Sequence, residues 1–430
     1  MLNIFLTGCR IIDPFSGTDA TGAVLIENGR VKGIGQGIEP PQGIRKVDLQ
    51  GKWVVPGLVD IHVHLREPGE EYKETIATGL MSAVAGGFTT VCCMPNTRPP
   101  NDSSAVTEFI LSKARECGVG RCFPIGAITK GQAGQEIAEF GDLLHAGAVA
   151  FSDDGVPVRD SMVMRLALEY SLNFGCTIIS HAEDLGLAEI GVMNEGKMST
   201  LLGLPGIPNA AEDIHVYRDV RLAELTGARL HVAHVSTKEA LEVIRDAKAR
   251  GVRVTCETAP HYFTLTEHAV DGYNTLAKMN PPLRSEEDRL AIIEGLKDGT
   301  IDCIATDHAP HSLLEKECEF QRAANGIIGL ETAVPLGLDL VAQEELTPME
   351  LIHLMTKGPS QVLNIEKEGL VPGTICDMAI IDPERTFEVT PDALFSKSHN
   401  TPFLGHTLKG RNIATVFQGR VVFDLDGILK

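Results

Sequence analysis

No run of about 18 apolar residues occurs in this 430-residue chain, so no segment reads as a membrane-crossing helix. Positive charge is also scarce: Lys and Arg number 38 against 58 Asp and Glu, a formal balance of −20. That balance argues against a nucleic-acid or anionic-membrane partner, although a few buried cations can still recognise a small anion. Paired cysteine spacing is missing as well. The ten cysteines form no framework, and Cys92 and Cys93 are adjacent within an apolar run. Reduced core thiols in a cytoplasmic protein are therefore expected. The opening MLNIFLTGCRIIDP lacks a basic stretch followed by a long apolar one, so it does not read as a secretory leader. Internal repeats and low-complexity tracts are absent too.

What is present is a change of texture along the chain. The first fifty-odd residues read as short strands, NIFLTGCRII, AVLIENGRVKGIG and KWVVPG, and the tail repeats this in CDMAIIDPERTFEV and ATVFQGRVVF. Residues 1–54 and 366–430 are thus expected to form one small β domain around a middle of 55–365. In that middle, strand-like runs end near His64, Met94, Ala127, Phe151, Ser180, His234, Cys256 and Thr306. Amphipathic segments separate them. TKEALEVIRDAKARG follows Ser236 with Glu239 three residues on, a capping-box pattern, and SEEDRLAIIEGLKDG runs from Ser285 to Gly299. Eight strands alternating with helices predict a parallel sheet closed into a (β/α)₈ barrel.

Polar residues gather where those strands end. His62 and His64 close the first, Asp153 and Asp154 the fourth, His181 the fifth and His234 the sixth, while Asp307, His308 and His311 follow the eighth. Such ends converge on one face of a barrel. His62 and His64 are two apart and project the same way from a strand, which suits two imidazoles on one metal ion. An isolated pair of this kind is more often ordinary packing. Six nitrogen and oxygen ligands from five strands are not, because unpaired buried carboxylates are costly. The set suits Zn²⁺ ahead of Co²⁺ or Mn²⁺, and it is too large for one tetrahedral site with an open position. His231 lies three residues from His234, an odd spacing that turns it to the opposite face, where packing or support of a ligand is expected.

In order, PGLVDIHVHLREPG, TTVCCMPNTRPP, AVAFSDDG, IISHAED, HVAHVST, ETAPHYF, KMNPPLR, IATDHAPH, GIIGLETAVPLGL and PFLGHTLKGRNI resemble the amidohydrolase superfamily, and within it the long bacterial dihydroorotases. The resemblance covers nearly the whole chain. Hydantoinases and allantoinases carry a metal-bridging lysine on the fourth strand. Here Ala150-Phe151-Ser152-Asp153-Asp154 offers none, as in dihydroorotases that bridge through an aspartate. The resemblance implies two zinc ions per chain, one held by His62, His64 and Asp307 and the other by His181 and His234, with Asp154 shared and Asp153 beside it. It implies substrate contacts from His64, Arg66, Asn96, Asn280 and His311, with backbone help at Asn325 and Gly326. Ala324-Asn325 stands where several relatives have Pro-Phe, so the Asn325 contact departs from the pattern.

The implied reaction is reversible closure of N-carbamoyl-L-aspartate to (S)-dihydroorotate in pyrimidine synthesis, with hydroxide between two metals as nucleophile and Asp307 moving the proton. Arg66 offers a planar fork for a carboxylate. A hydantoinase-like cyclic amidase is disfavoured by the missing lysine and by Arg66. An inactive scaffold of aspartate carbamoyltransferase is disfavoured by retention of all six ligands. A small-molecule substrate is expected, and a homodimer or association with that transferase is compatible with the sequence.

Overall fold

The computed structural model describes residues 1–430. Strands buried on both faces need largely apolar runs, and most of the eight strands at the centre of the molecule are of this kind. The eight are Leu58–Val63, Phe88–Cys93, Arg121–Pro124 and Ala150–Ser152, then Thr177–Ser180, Arg229–Val232, Val254–Thr258 and Cys303–Ile304. Consecutive strands pair in parallel. A Gly126–Phe151 bridge joins the third strand to the fourth, and a Val63–His308 bridge brings the region after the eighth strand back to the first. The sheet thus closes into a (β/α)₈ barrel. Ile61, Cys92, Ile125, Ile179 and Cys303 fill its inside, with Leu363 and Ile365 packed against them.

Helices cover the outside, and their apolar stripes explain why. In Lys238–Ala249 the buried residues are Ala240, Leu241, Ile244 and Ala247, one face at helical spacing. Its cap differs from the expected one. Thr237, not Ser236, accepts from the Ala240 amide, because the Ser236 hydroxyl is already donated to the buried Glu212 carboxylate. Helix Glu286–Lys297 starts as expected, with Ser285 and Asp288 forming a reciprocal capping box.

The two chain ends build one sheet. Its order runs Arg420–Asp424, Thr407–Phe417, Met378–Glu388, Trp53–Pro56, Ile4–Asp13, Thr18–Glu27 and Arg30–Gly35, with Lys46–Asp48 beside Ile4–Asp13. Its core includes Ile4, Leu6, Ile11, Val54, Ile380 and Val416. Strand Trp53–Pro56 pairs with Met378–Ile381 as far as Pro56, so this sheet reaches past residue 54 before the chain enters the barrel.

Candidate metal and substrate site

The first barrel strand delivers His62 and His64 to the barrel mouth, each held by its Nδ1. Glu257 Oε1 lies 2.6 Å from His62 Nδ1, and Asn96 Oδ1 lies 2.8 Å from His64 Nδ1. Both Nε2 atoms then face carboxylates. His62 Nε2 is 3.3 Å from Asp154 Oδ1 and 3.6 Å from Asp307 Oδ1. His64 Nε2 is 3.0 Å from Asp307 Oδ1 and 3.5 Å from Asp154 Oδ2. His181 Nδ1 and His234 Nε2 each lie 3.6 Å from Asp154 Oδ1 and 2.8 Å from each other. Asp154 therefore turns one oxygen to His62, His181 and His234 and the other to His64.

This geometry fits a cation. His62 Nε2 and Asp154 Oδ1 are buried without a hydrogen-bond partner, a cost that a shared metal ion removes. Ligand atoms of His62, His64 and Asp307 lie within 4.8 Å of one another, as do those of His62, Asp154 and His234. His181 falls outside both groups and meets the cluster through His234 and Asp154. Burial opposes charge here, yet neighbouring charges win. Burial would raise the Asp154 carboxyl, but His62 and contacts from His181 and His234 hold it well below its ordinary range. Asp307 is held low in the same way, by His64 and His62 against burial. Burial lowers the His181 imidazole while Asp154 and Glu183 raise it, with a net value of about 10.

Three of these side chains turn inward from strained backbone. Arg66, His234 and Asp307 have φ of 60°, 34° and 49°, the left-handed region that non-glycine residues seldom occupy and that clusters at functional sites. The turn at His234 changes the direction expected of His231 but not its role, which is support of a ligand. The sixth strand ends at Val232, so alternation no longer governs His234, and both histidines join one network. His231 Nε2 lies 3.1 Å from Glu257 Oε2, and the other oxygen of that carboxylate holds His62.

The opposite wall suits an anion. Arg66 is buried, and its contacts are Pro310 O at 3.1 Å and His311 Nε2 at 3.3 Å. Neither is an anion; burial lowers the Arg66 guanidinium while Glu70, Asp307, Asp154 and Glu315 support its charge without touching it, so a carboxylate could still pair with it directly. Burial, reinforced by the Arg66 charge, pushes the His311 imidazole down to about 2, so it is neutral. Asn280 donates to Glu183 Oε2 at 3.1 Å. The Asn325 carbonyl lies 2.8 Å from His311 Nε2. Gly326 has φ of 124°, and a Cβ there would come within 2.6 Å of Ala309 Cβ, so only glycine fits. His64, Arg66, Asn96, Asn280, His311 and the Asn325–Gly326 turn line one cavity of about 200 Å³ together with Asp154, His181, His234 and Asp307. That size suits a small molecule. His62 lies fully buried behind it. No lysine lines the cavity.

Sequence reasoning missed Glu257, Glu183 and Asn400. Glu257 stands in the ETAPHYF stretch at the end of the seventh strand, a position that could have marked it. Nothing local marks Asn400, which reaches the cavity wall from the far end of the chain.

A Dihydro-orotase-like family model matches residues 51–240. A protein named dihydroorotase from Trichlorobacter lovleyi is 55% identical over 422 residues, covering 98% of this chain and 99% of that one. Another of that name, from Geobacter metallireducens, is 54% identical over 98% of this chain and 100% of its own. Among solved structures, the L-hydantoinase (dihydropyrimidinase) from Arthrobacter aurescens aligns with a TM-score of 0.85 at 26% identity, covering 99% of this chain and 96% of that one. Dihydropyrimidinase from Brevibacillus agri shares the fold, with a TM-score of 0.84 at 19% identity and coverage of 98% and 95%.

Proposed function

The chain belongs to the dihydroorotase family, and from that premise we propose how its cavity carries out the reaction. The activity is the reversible closure of N-carbamoyl-L-aspartate to dihydroorotate in pyrimidine synthesis, performed by a metal-dependent cyclic amidohydrolase. One observation carries the residue assignment: Asp154, whose Oδ1 has no hydrogen-bond partner and faces the equally partnerless His62 Nε2, lines one cavity with Arg66, whose guanidinium contacts no carboxylate.

His62, His64 and Asp307 would hold one zinc ion and His181 and His234 a second, with Asp154 common to both. When bound, the ions would polarise the amide carbonyl and ease its attack by water. The chain's own groups do the rest. Glu257 and Asn96 fix the orientation of His62 and His64. Arg66, Asn96 and the neutral His311 receive the carboxylate that ring closure leaves intact, and Asn280 with the Asn325–Gly326 turn borders the ring. Asp307, ionised at neutral pH, takes the proton given up by water in hydrolysis and delivers it to the ring nitrogen as the C–N bond breaks. In closure it takes a proton from the attacking carbamoyl nitrogen and returns it to the departing oxygen.

The deciding assay compares turnover of carbamoyl aspartate, hydantoin and allantoin on metal-replete protein. Carbamoyl aspartate should be turned over at least about a hundredfold faster, since an unmatched buried charge costs several kcal/mol. Comparable turnover of hydantoin would overturn the substrate assignment. Elemental analysis should give about two transition-metal ions per chain, and an active preparation with none would overturn the metal assignment. The reading extends to a cytoplasmic enzyme. Sedimentation velocity with and without aspartate carbamoyltransferase measures both self-association and any complex with that enzyme.

A further inference from the structure

The C-terminal part of the chain does more than complete the outer sheet. Between strands Met378–Glu388 and Thr407–Phe417 it leaves that sheet, crosses to the barrel mouth and returns. The crossing is tied down along its length. The Phe395 amide donates to Glu331 Oε1 at 2.9 Å, the Ser396 hydroxyl to Glu74 Oε2 at 2.5 Å and the Ser398 hydroxyl to Lys73 O at 2.7 Å. These ties bring in Asn400, which is 4% exposed.

Asn400 stitches together the two loops that form the anion side of the cavity. Its Oδ1 accepts from the His311 amide at 2.9 Å. Its Nδ2 donates to Ala309 O at 2.9 Å and to Gly326 O at 3.0 Å, and its own carbonyl accepts from the Ile328 amide at 3.0 Å. Only a carboxamide supplies two donor protons and an acceptor from so short a stem. Aspartate would turn a charge toward two carbonyls, and serine has one proton to give. We infer that Asn400 is a positioning residue for substrate recognition, setting the distance between the His311 loop and the Gly326 turn and hence the affinity for the substrate carboxylate. The inference rests on the assignment of His311 and Gly326 to the substrate side.

The test uses metal-replete full-length protein carrying Asn400→Ser or Asn400→Asp, with Arg66→Met as an independent probe of the same wall. Asn400→Ser should raise KM for carbamoyl aspartate about five- to tenfold and leave kcat within about twofold, since a single hydroxyl proton leaves at least one of two buried carbonyls without its donor. Asn400→Asp should raise KM further. Metal content should match wild type in both, which general loosening of the fold would not preserve together with kcat. In combination with Arg66→Met, the Asn400→Ser effect on KM should shrink, since both act on one interaction. A raised KM for Arg66→Met alongside wild-type KM for Asn400→Ser would overturn the inference and leave the cavity assignment standing. Loss of kcat or metal at wild-type KM would overturn it too. Wild-type KM for Arg66→Met would overturn both together.

Discussion

At the scale of single residues, Asp153 and Asp154 stand side by side and do different work. Asp153 accepts from the Ile128 amide at 2.8 Å and the Thr129 amide at 3.1 Å, and also from the Thr129 hydroxyl. It pins the loop after the third strand. Asp154 has an oxygen with no hydrogen-bond partner among three histidines. Asp154→Ala should therefore lose both bound metal and turnover, whereas Asp153→Asn should keep most metal and lose about 1–3 kcal/mol of stability. Metal analysis and thermal melts of the two variants check this, and the reverse ranking would move the shared carboxylate to Asp153. Protons offer a second handle. In the metal-free chain His181 holds its proton up to about pH 10, and a ligand nitrogen must lose its proton to bind. Zinc loading of apo-protein at pH 8 should therefore release protons, and affinity should keep rising with pH beyond 7. Calorimetry in buffers of different ionisation enthalpy measures the release; a pH-independent affinity between 7 and 9 would count against this ligand set.

At the scale of elements, the barrel was legible because its strands are buried on both faces and so leave apolar runs such as TTVCC and TIIS, with helices announced by serine caps. Ser285 is such a cap, and Ser285→Ala should cost about 1 kcal/mol, seen as a fall of about 2 °C or less in melting temperature. An unchanged melt would mean that the helix start is held by its packing alone. The cap at Ser236 was misplaced by one residue for a tertiary reason: the chain brings Glu212 to that hydroxyl from another helix. The direction of His231 was misjudged because alternation holds only while the backbone is extended, and it is left-handed at His234. The strand-end histidines and aspartates could be singled out because a barrel gathers strand ends at one mouth. Glu183 and Asn400 could not, since their roles depend on partners 97 and 89 positions away; Glu257 shares the strand-end signal, but its partner stands 195 positions away.

At the scale of the whole molecule, charge sets the terms on which substrate arrives. The chain carries about twenty more negative than positive groups, while carbamoyl aspartate carries two negative charges at neutral pH and dihydroorotate one. Long-range repulsion therefore opposes the local attraction of Arg66. The two respond differently to salt. Repulsion from the distributed surface charge acts over tens of ångströms, and raising ionic strength from 0.01 to 0.1 M cuts the screening length from about 30 to about 10 Å. Arg66 is buried and would meet its anion in contact, where mobile ions hardly enter. Added KCl in that range should thus raise kcat/KM for both substrates at constant pH. On a logarithmic scale the gain for the dianion should be about twice that for the monoanion, because each coulombic energy scales with ligand charge. Initial rates in both directions on one metal-replete preparation measure the two slopes. Equal slopes would show that net charge does not govern approach. A fall in kcat/KM with salt, steeper for carbamoyl aspartate, would show that an exposed cationic field dominates, contrary to a buried Arg66 as the chief attraction. In Arg66→Met the salt-induced gain should persist on a lower baseline, because the substitution removes the contact and leaves the surrounding negative charge in place.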